Sequence, residues 1–251
     1  MIVMCGGHVN TFRSDKIYRH PDAKIEMWPL AILPLYSLHT LAHHYVLSAI
    51  APFYRAFDTF TKHCWVGRTT SITTQVIVLP LMAYFGQSTA YHHVLAMYMI
   101  ADMLHMSLYM KNDPLAWIHH ILCVIGYGVT FFVSQDLLTI MVTGSLMLEL
   151  TSPLIHLSWF ANKAGYSESW WFPYLAAATI INFFVIRCVW FPAFVWYSVP
   201  KILWGFGIAL QILNVIWFYK LIGYALAIMR KPGGSRLEYR TMLRMRSLFS
   251  R

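Results

Sequence analysis

The sequence predicts an all-α chain, a polytopic membrane helical bundle of about seven transmembrane helices. Of its 251 residues 58% are hydrophobic and only 12% charged, about half the charged share of an ordinary soluble domain, and the mean hydropathy is +0.53. Mainly apolar runs approaching the roughly 20 residues needed to cross hydrocarbon recur along the chain. Ten Trp and fifteen Tyr suit bilayer interfaces, where an apolar ring with one polar edge is at ease. Too few polar residues remain to surface a soluble core, which excludes nucleic-acid modules, Rossmann enzymes and secreted disulfide scaffolds. The runs lack the alternation of barrel strands, and backbone groups in lipid must bond within their own segment, so the spans are helices.

Residues 1–27 form a polar N-terminal segment with no long apolar run before a small-residue site, so no cleavable signal peptide is expected. The first span runs approximately from Trp28 to Phe53, and residues 28–64 comprise it and a basic loop. It contains a single HxxxHH box, His39, His43 and His44. Di-iron membrane enzymes need several such boxes, and none follows here, so no di-iron centre is expected and no metal is assigned; a mononuclear metal and a plain polar helix face stay open for the box. The second span, Thr70 to Phe85, is short and joins the third through the brief connection Gly86 to Ala90.

The third span, Tyr91 to Tyr109, carries Tyr98, Asp102, His105 and Tyr109 at spacings of four, three and four, which places them on one helical face. His119 and His120 come early in the fourth, Pro114 to Val133, about 100° apart around the helix. The fifth, Leu137 to Phe160, repeats the polar stripe with Ser145, Glu149, Ser152 and His156, and Pro153 is expected to bend it. Arg187 in the sixth span, Phe172 to Tyr197, is the one evident buried cation. Gln211 and Asn214 give the seventh, Ile202 to Met229, a polar edge. Cys123 and Cys188 lie within spans as small apolar residues, and with Cys5 and Cys64 they form no CxxC pair.

The charge of +9 has a location. With seven spans, one side holds five Lys and Arg, Lys201 among them, and the other holds twelve, including Arg55, Lys62, Arg68, Lys111, Lys163 and the seven of the tail. The positive-inside rule then puts the C-terminus in the cytoplasm or its equivalent and the N-terminus opposite. The basic tail, residues 230–251, meets anionic lipid or, through Leu237, Leu243, Leu248 and Phe249, a neighbouring subunit.

Ionisable groups within a bilayer are expensive and mark cavities or partners. A purely structural network returns little for them, since membrane hydrogen bonds average about 0.6 kcal/mol. Asp102, His105, His119, His120, Glu149 and Arg187 are therefore expected to converge on one polar chamber. Such a chamber in an apolar bundle suits an amphipathic ligand, with Tyr98, His105, Ser152, His156, Arg187, Gln211 and Asn214 as candidate lipid-binding residues.

The stretch YMIADMLHMSLYMKNDPLAWIHHILCVIGYGVTFF from Tyr98, then SLMLELTSPLIHLSWFANKAG to Gly165, together with INFFVIRCVWFPAFVWY from Ile181 and LQILNVIWFYKLI from Leu210, resembles the TLC domain family of multispanning membrane proteins. The resemblance covers residues 65–229. It implies six helices around a central cavity that admits a long acyl chain, with the first span packed outside. Ceramide synthases of that family carry a paired-histidine motif, which His119 and His120 match. They also carry a His-Asp followed three residues later by a second Asp, where this chain has Leu148, Glu149 and Ser152. The resemblance is thus to the non-ceramide-synthase branch.

The expected function is to bind or handle an acyl lipid in the chamber. If acyl transfer occurs, His119 or His120 is the base or transient acyl acceptor, and Asp102 or Glu149 orients the imidazole. Acyl-CoA or a bound phospholipid would then be the small-molecule partner, with no other cofactor indicated. The rival reading is a non-catalytic accessory subunit of a large membrane complex, such as a mitochondrial inner-membrane assembly, holding structural lipid. The membrane is the endoplasmic reticulum or the mitochondrial inner membrane, between which the sequence does not choose. Nucleic acid is not a partner.

Overall fold

A computed structural model describes residues 32–229 other than 51, 87, 110–113 and 131–134. The N-terminal segment and the basic tail, with the expected subunit contact, lie outside the described residues. Among the described residues every regular element is helical, as backbone confined to lipid requires.

Helix α1 spans Ile32–Ile50, followed by the single turn α2, Pro52–Arg55. Helix α3, Thr59–Thr73, continues through a π-helical segment, Thr74–Val78, into α4, Leu79–Tyr84. The second span therefore begins about ten residues before the expected Thr70. Polar residues hid its start, but Thr69, Thr70, Thr73 and Thr74 each donate their hydroxyl to the carbonyl four residues back. A threonine bonded in this way enters the bilayer with its donor satisfied.

Helix α5 spans Ser88–Tyr109 and packs along α6, Pro114–Thr130. The fifth span is two helices, α7, Gln135–Glu149, and α8, Ser152–Lys163, broken at Leu150 and Thr151. Pro153 causes the break, since its ring excludes the carbonyl of Glu149 and it has no N–H to donate there. The sixth comprises α9, Phe172–Phe183, a π-helical segment, Phe184–Trp190, and α10, Phe191–Ser198. A 3₁₀ turn, Lys201–Leu203, leads into α11, Trp204–Met229.

Both π-helical segments end two residues before a proline, Pro80 or Pro192. Leu79 N–H reaches back five residues to Thr74 O, and Phe191 N–H likewise reaches Ile186 O. The wider turn makes room for a ring that an α-helical turn would press against the carbonyl four residues earlier.

Among the described residues three helices are long and apolar enough to cross a membrane, at Leu137–Lys163, Phe172–Ser198 and Lys201–Ala227, and Pro114–Val129 is shorter but apolar. The helices of the first three spans mix apolar residues with the polar ones that the interior uses. Their outward residues are large and apolar, including Leu38, Leu41, Val76, Ile77, Leu81, Leu104 and Leu108. A surface of that kind is a bilayer contact, so the chain is an integral membrane protein.

The main core gathers Leu79, Tyr91, Val94, Leu95, Tyr98 and Met99 with Cys123, Tyr127, Val142 and Tyr36. Tyr36 belongs to α1, which packs on α3 and α5. The first span, expected on the outside of the six-helix bundle, thus sends one side chain into it. A second cluster of Tyr54, Trp65 and Val66, with Trp159 and Phe160 against it, packs α3 against α8 toward the end where α3 begins and α8 ends.

Candidate functional site: a polar chamber opening onto an apolar slot

The bundle encloses a cavity of about 1450 Å³, whose lining includes Tyr98, Asp102, His119, His120, Glu149, Ser152, His156 and Arg187. Eight of the eleven candidate residues therefore share one chamber. The other three do not line it. His105 is buried behind the wall, where its Nε2–H donates to His63 O at 3.3 Å and its ring meets those of Tyr36, His63 and Tyr109. Asn214 is buried and serves Arg187. Gln211 has a buried Oε1 with no partner and lines neither cavity.

Asp102 is the meeting point of three helices. Tyr36 Oη donates to its Oδ1 at 3.0 Å, and His120 Nε2 faces its Oδ2 at 3.3 Å. His120 Nδ1 is buried without a partner, so the ring is turned toward the carboxylate with its other nitrogen closed off. His119 is held differently. Its ring lies edge-on to Trp217, centroids 4.9 Å apart, and its nitrogens meet only Cys123 Sγ at 3.7 and 3.8 Å. A thiol is a weak partner, which leaves the His119 nitrogens open to a stronger one.

Glu149 ends α7 and accepts from Gln75 Nε2 at 2.7 Å. Arg187 donates through Nε to Thr151 Oγ1 at 2.6 Å, through Nη1 to Asn214 Oδ1 at 3.3 Å, and through Nη2 to Leu148 O at 2.8 Å and Ser152 Oγ at 3.3 Å. At the break the Leu148 carbonyl accepts from the Thr151 backbone N–H and hydroxyl as well as from Arg187. Four of the five donors of this guanidinium are thus engaged by protein.

Sequence reasoning placed Arg68 among the loop cations. It lies inside α3, lines the chamber and stacks on Trp159 with its guanidinium 4.6 Å from the ring centroid. Arg68 falls outside a second span that begins at Thr70. Ser71, 2.5 Å from Tyr98 Oη, and Gln75 lie within that span and line the chamber too, but neither ionises, and the helical spacing of acids and imidazoles does not point to them. One signal would have found one of these polar groups: Gln75, like Glu149 and Arg187, stands four or five residues before an in-span proline, at Pro80, Pro153 and Pro192 respectively.

A smaller cavity continues from the chamber. Its walls include Leu122, Gly126, Met141, Phe191, Val195 and Phe206, and it shares His119, Glu149 and Arg187 with the chamber. Ser145, at the head of the fifth-span stripe, belongs to this slot and bonds Tyr91 Oη at 3.2 Å.

The histidine box of α1 sits apart. His39 Nδ1 lies 3.0 Å from Thr70 Oγ1, His44 Nδ1 lies 3.0 Å from Tyr54 Oη, and the His39 and His43 rings meet edge-on at 4.4 Å. Each ring is placed as a helix contact.

The fold and the chamber define a class, a polytopic helical membrane protein with a polar interior cavity. A family model described as TLC domain matches residues 39–223, and the chain belongs to that family. It is 27% identical over 159 residues to TLC domain-containing protein 4-A of Xenopus laevis and, at the same identity, to TLC domain-containing protein 4 of Xenopus tropicalis. Each match covers 55% of this chain and 60% of the relative. Both relatives carry that name and not a synthase name, in agreement with the altered acidic motif. No solved structure matches at a significant level.

Proposed function

We propose that the chain binds an amphipathic acyl lipid, its polar end among the chamber's hydrogen-bonding groups and its tail along the chamber's apolar wall and into the adjoining slot. One observation carries this reading: His119, Glu149 and Arg187 line both cavities at once. A ligand that crosses this boundary meets the chamber's hydrogen-bonding groups beside apolar wall residues such as Met99, Ile155 and Phe183, and beyond it a slot walled mainly by Leu, Met, Phe and Val. That division matches a head group joined to a hydrocarbon chain. Mass spectrometry of the protein purified in mild detergent is expected to find an acyl lipid retained at about one per chain. Folded protein free of lipid, which takes none up on addition, overturns the reading.

Acyl transfer is the second reading, favoured by the position of His119. Its imidazole attacks the carbonyl of an acyl thioester, the new N–C bond forms as the C–S bond breaks, and the ring N–H proton leaves with the thiol sulfur. An amine or hydroxyl acceptor then takes the acyl group and returns its proton to the ring. His120 is the positioning residue of the pair, since Asp102 holds its Nε2. His119→Ala is expected to abolish transfer while lipid retention persists; equal turnover in the variant removes this chemistry.

A further inference from the structure

Where α3 begins and α8 and α11 end, the chamber wall carries an arginine unlike Arg187. Among the described residues Arg68 has one acceptor, His156 Nδ1 at 2.9 Å from its Nη1. Among those residues its Nη2 donates to none, and its Nε is buried without one. Trp159 supports the guanidinium from one face, and Lys163 Nζ stands 5.9 Å from the same ring centroid. Exposed Lys220 lines the same chamber one turn before Tyr224, whose hydroxyl accepts from Asn162 Nδ2 at 2.6 Å.

Among the described residues no carboxylate forms an ion pair with Arg68; Asp102 interacts with it only across space and is itself held by Tyr36 and His120. Asp58 is occupied in capping α3 through Thr61, and Glu168 is the acid that lines the chamber on this rim. Because Arg68 donates to His156 Nδ1, the neutral His156 ring carries its proton on Nε2 and supplies a further donor. A stacked guanidinium presents its edge as a planar fork that matches a tetrahedral oxyanion. Three cations around one mouth favour a doubly charged group over a carboxylate.

We propose that Arg68, with His156, Lys163 and Lys220, forms a phosphate subsite at the chamber mouth. It takes the phosphorylated end of an amphipathic ligand, either a phospholipid head group or the nucleotide end of an acyl thioester. This rests on the lipid-chamber reading and names the chemistry of the head group.

The test compares retention of matched ligand pairs by the full chain in nanodiscs. One pair is dioleoyl phosphatidic acid against dioleoylglycerol; the other is palmitoyl-CoA against the palmitoyl thioester of N-acetylcysteamine. At least one phosphate ligand should be favoured about tenfold over its phosphate-free counterpart, and the pair that shows it identifies the source. Arg68→Gln should abolish the preference and leave the phosphate-free ligand bound as before, while Arg68→Lys keeps part of it. Should Arg68→Gln fail to fold, the exposed pair Lys163→Gln and Lys220→Gln decides, with an expected loss of about threefold or more. Phosphate-free ligands bound without preference overturn the subsite and leave the chamber standing, as does a preference that survives these substitutions. Failure of all four ligands to bind overturns the chamber reading and the subsite together.

Discussion

Tyr36 Oη donates to Asp102 Oδ1 at 3.0 Å, on the carboxylate whose other oxygen faces His120 Nε2 at 3.3 Å. One acid thereby ties α1 to α5 and α6, and it gives the first helix a polar link to the chamber. The Asp102 carboxyl has little exposure from which to recover a lost bond with water. Tyr36→Phe is therefore expected to lower stability by about 1–2 kcal/mol, read as a drop in melting temperature in detergent. Tyr45→Phe on the same helix, at a hydroxyl-bearing ring 67% exposed, is the control and should leave it unchanged. Equal behaviour of the two variants would show that the Tyr36 bond contributes nothing.

Arg187 is predicted to act as a strut more than as a ligand for the lipid. Arg187→Met removes four hydrogen bonds; it strands buried Asn214 Oδ1, and leaves Thr151 and the Leu148 carbonyl only the bonds they make with each other. At about 1–3 kcal/mol for the stranded amide, with the four bonds across α7, α8, the sixth span and α11 lost beside it, the yield of folded protein should fall. Arg187→Lys cannot serve acceptors on three sides with one ammonium group and should rescue only part of the yield. Membrane accumulation followed by size-exclusion chromatography measures both. Normal yield of Arg187→Met would remove the strut role.

The helical class and most of the chamber were legible in the sequence because spacing along a helix fixes direction. Tyr98 and Asp102, or Ser152 and His156, are one turn apart and share a face, and the chamber is where those faces meet. What spacing cannot convey is occupancy. Arg187 and Arg68 are equally basic in sequence, yet one is bonded to protein on three sides and the other has a single acceptor among the described residues. The second-span boundary was hidden because hydropathy counts a threonine as polar whether or not its hydroxyl bonds its own helix. His105 lies on the predicted face, but the ring of Tyr36 from another helix stands beside it behind the wall, a tertiary fact that no local pattern contains.

Two glycines near the slot are expected to respond in opposite ways. A Cβ at Gly207 would come within 2.6 Å of Val195 Cγ1, a short side chain that cannot swing clear. Gly207→Ala should cost about 1–3 kcal/mol through overpacking of α10 against α11. Gly126, which lines the slot, has nothing within 4 Å of the same position. Gly126→Val should fold normally and fill part of the slot, so that the lipid retained after purification shifts to shorter acyl chains. Lipid mass spectrometry reads the shift, and an unchanged chain-length profile would place the tail elsewhere.

Asp58 starts α3, where its Oδ1 accepts from Thr61 N–H at 2.9 Å and its Oδ2 from Thr61 Oγ1 at 2.7 Å. These bonds favour the charged form and hold the carboxyl below the ordinary carboxylate range, with the Thr61 hydroxyl the larger cause. A folded-state pKa below the unfolded one means that the cap contributes fully above about pH 4, the unfolded value. Its contribution fades as pH falls through that value toward the lower folded one. Asp58→Ala should cost about 1 kcal/mol at neutral pH, and Asp58→Asn, which keeps one acceptor oxygen for the Thr61 backbone N–H, should cost less. Melting temperatures taken from pH 7 to pH 3 should show the wild-type advantage over Asp58→Ala shrinking only at the acid end. An advantage constant across that range would mean that the carboxylate charge plays no part in starting the helix.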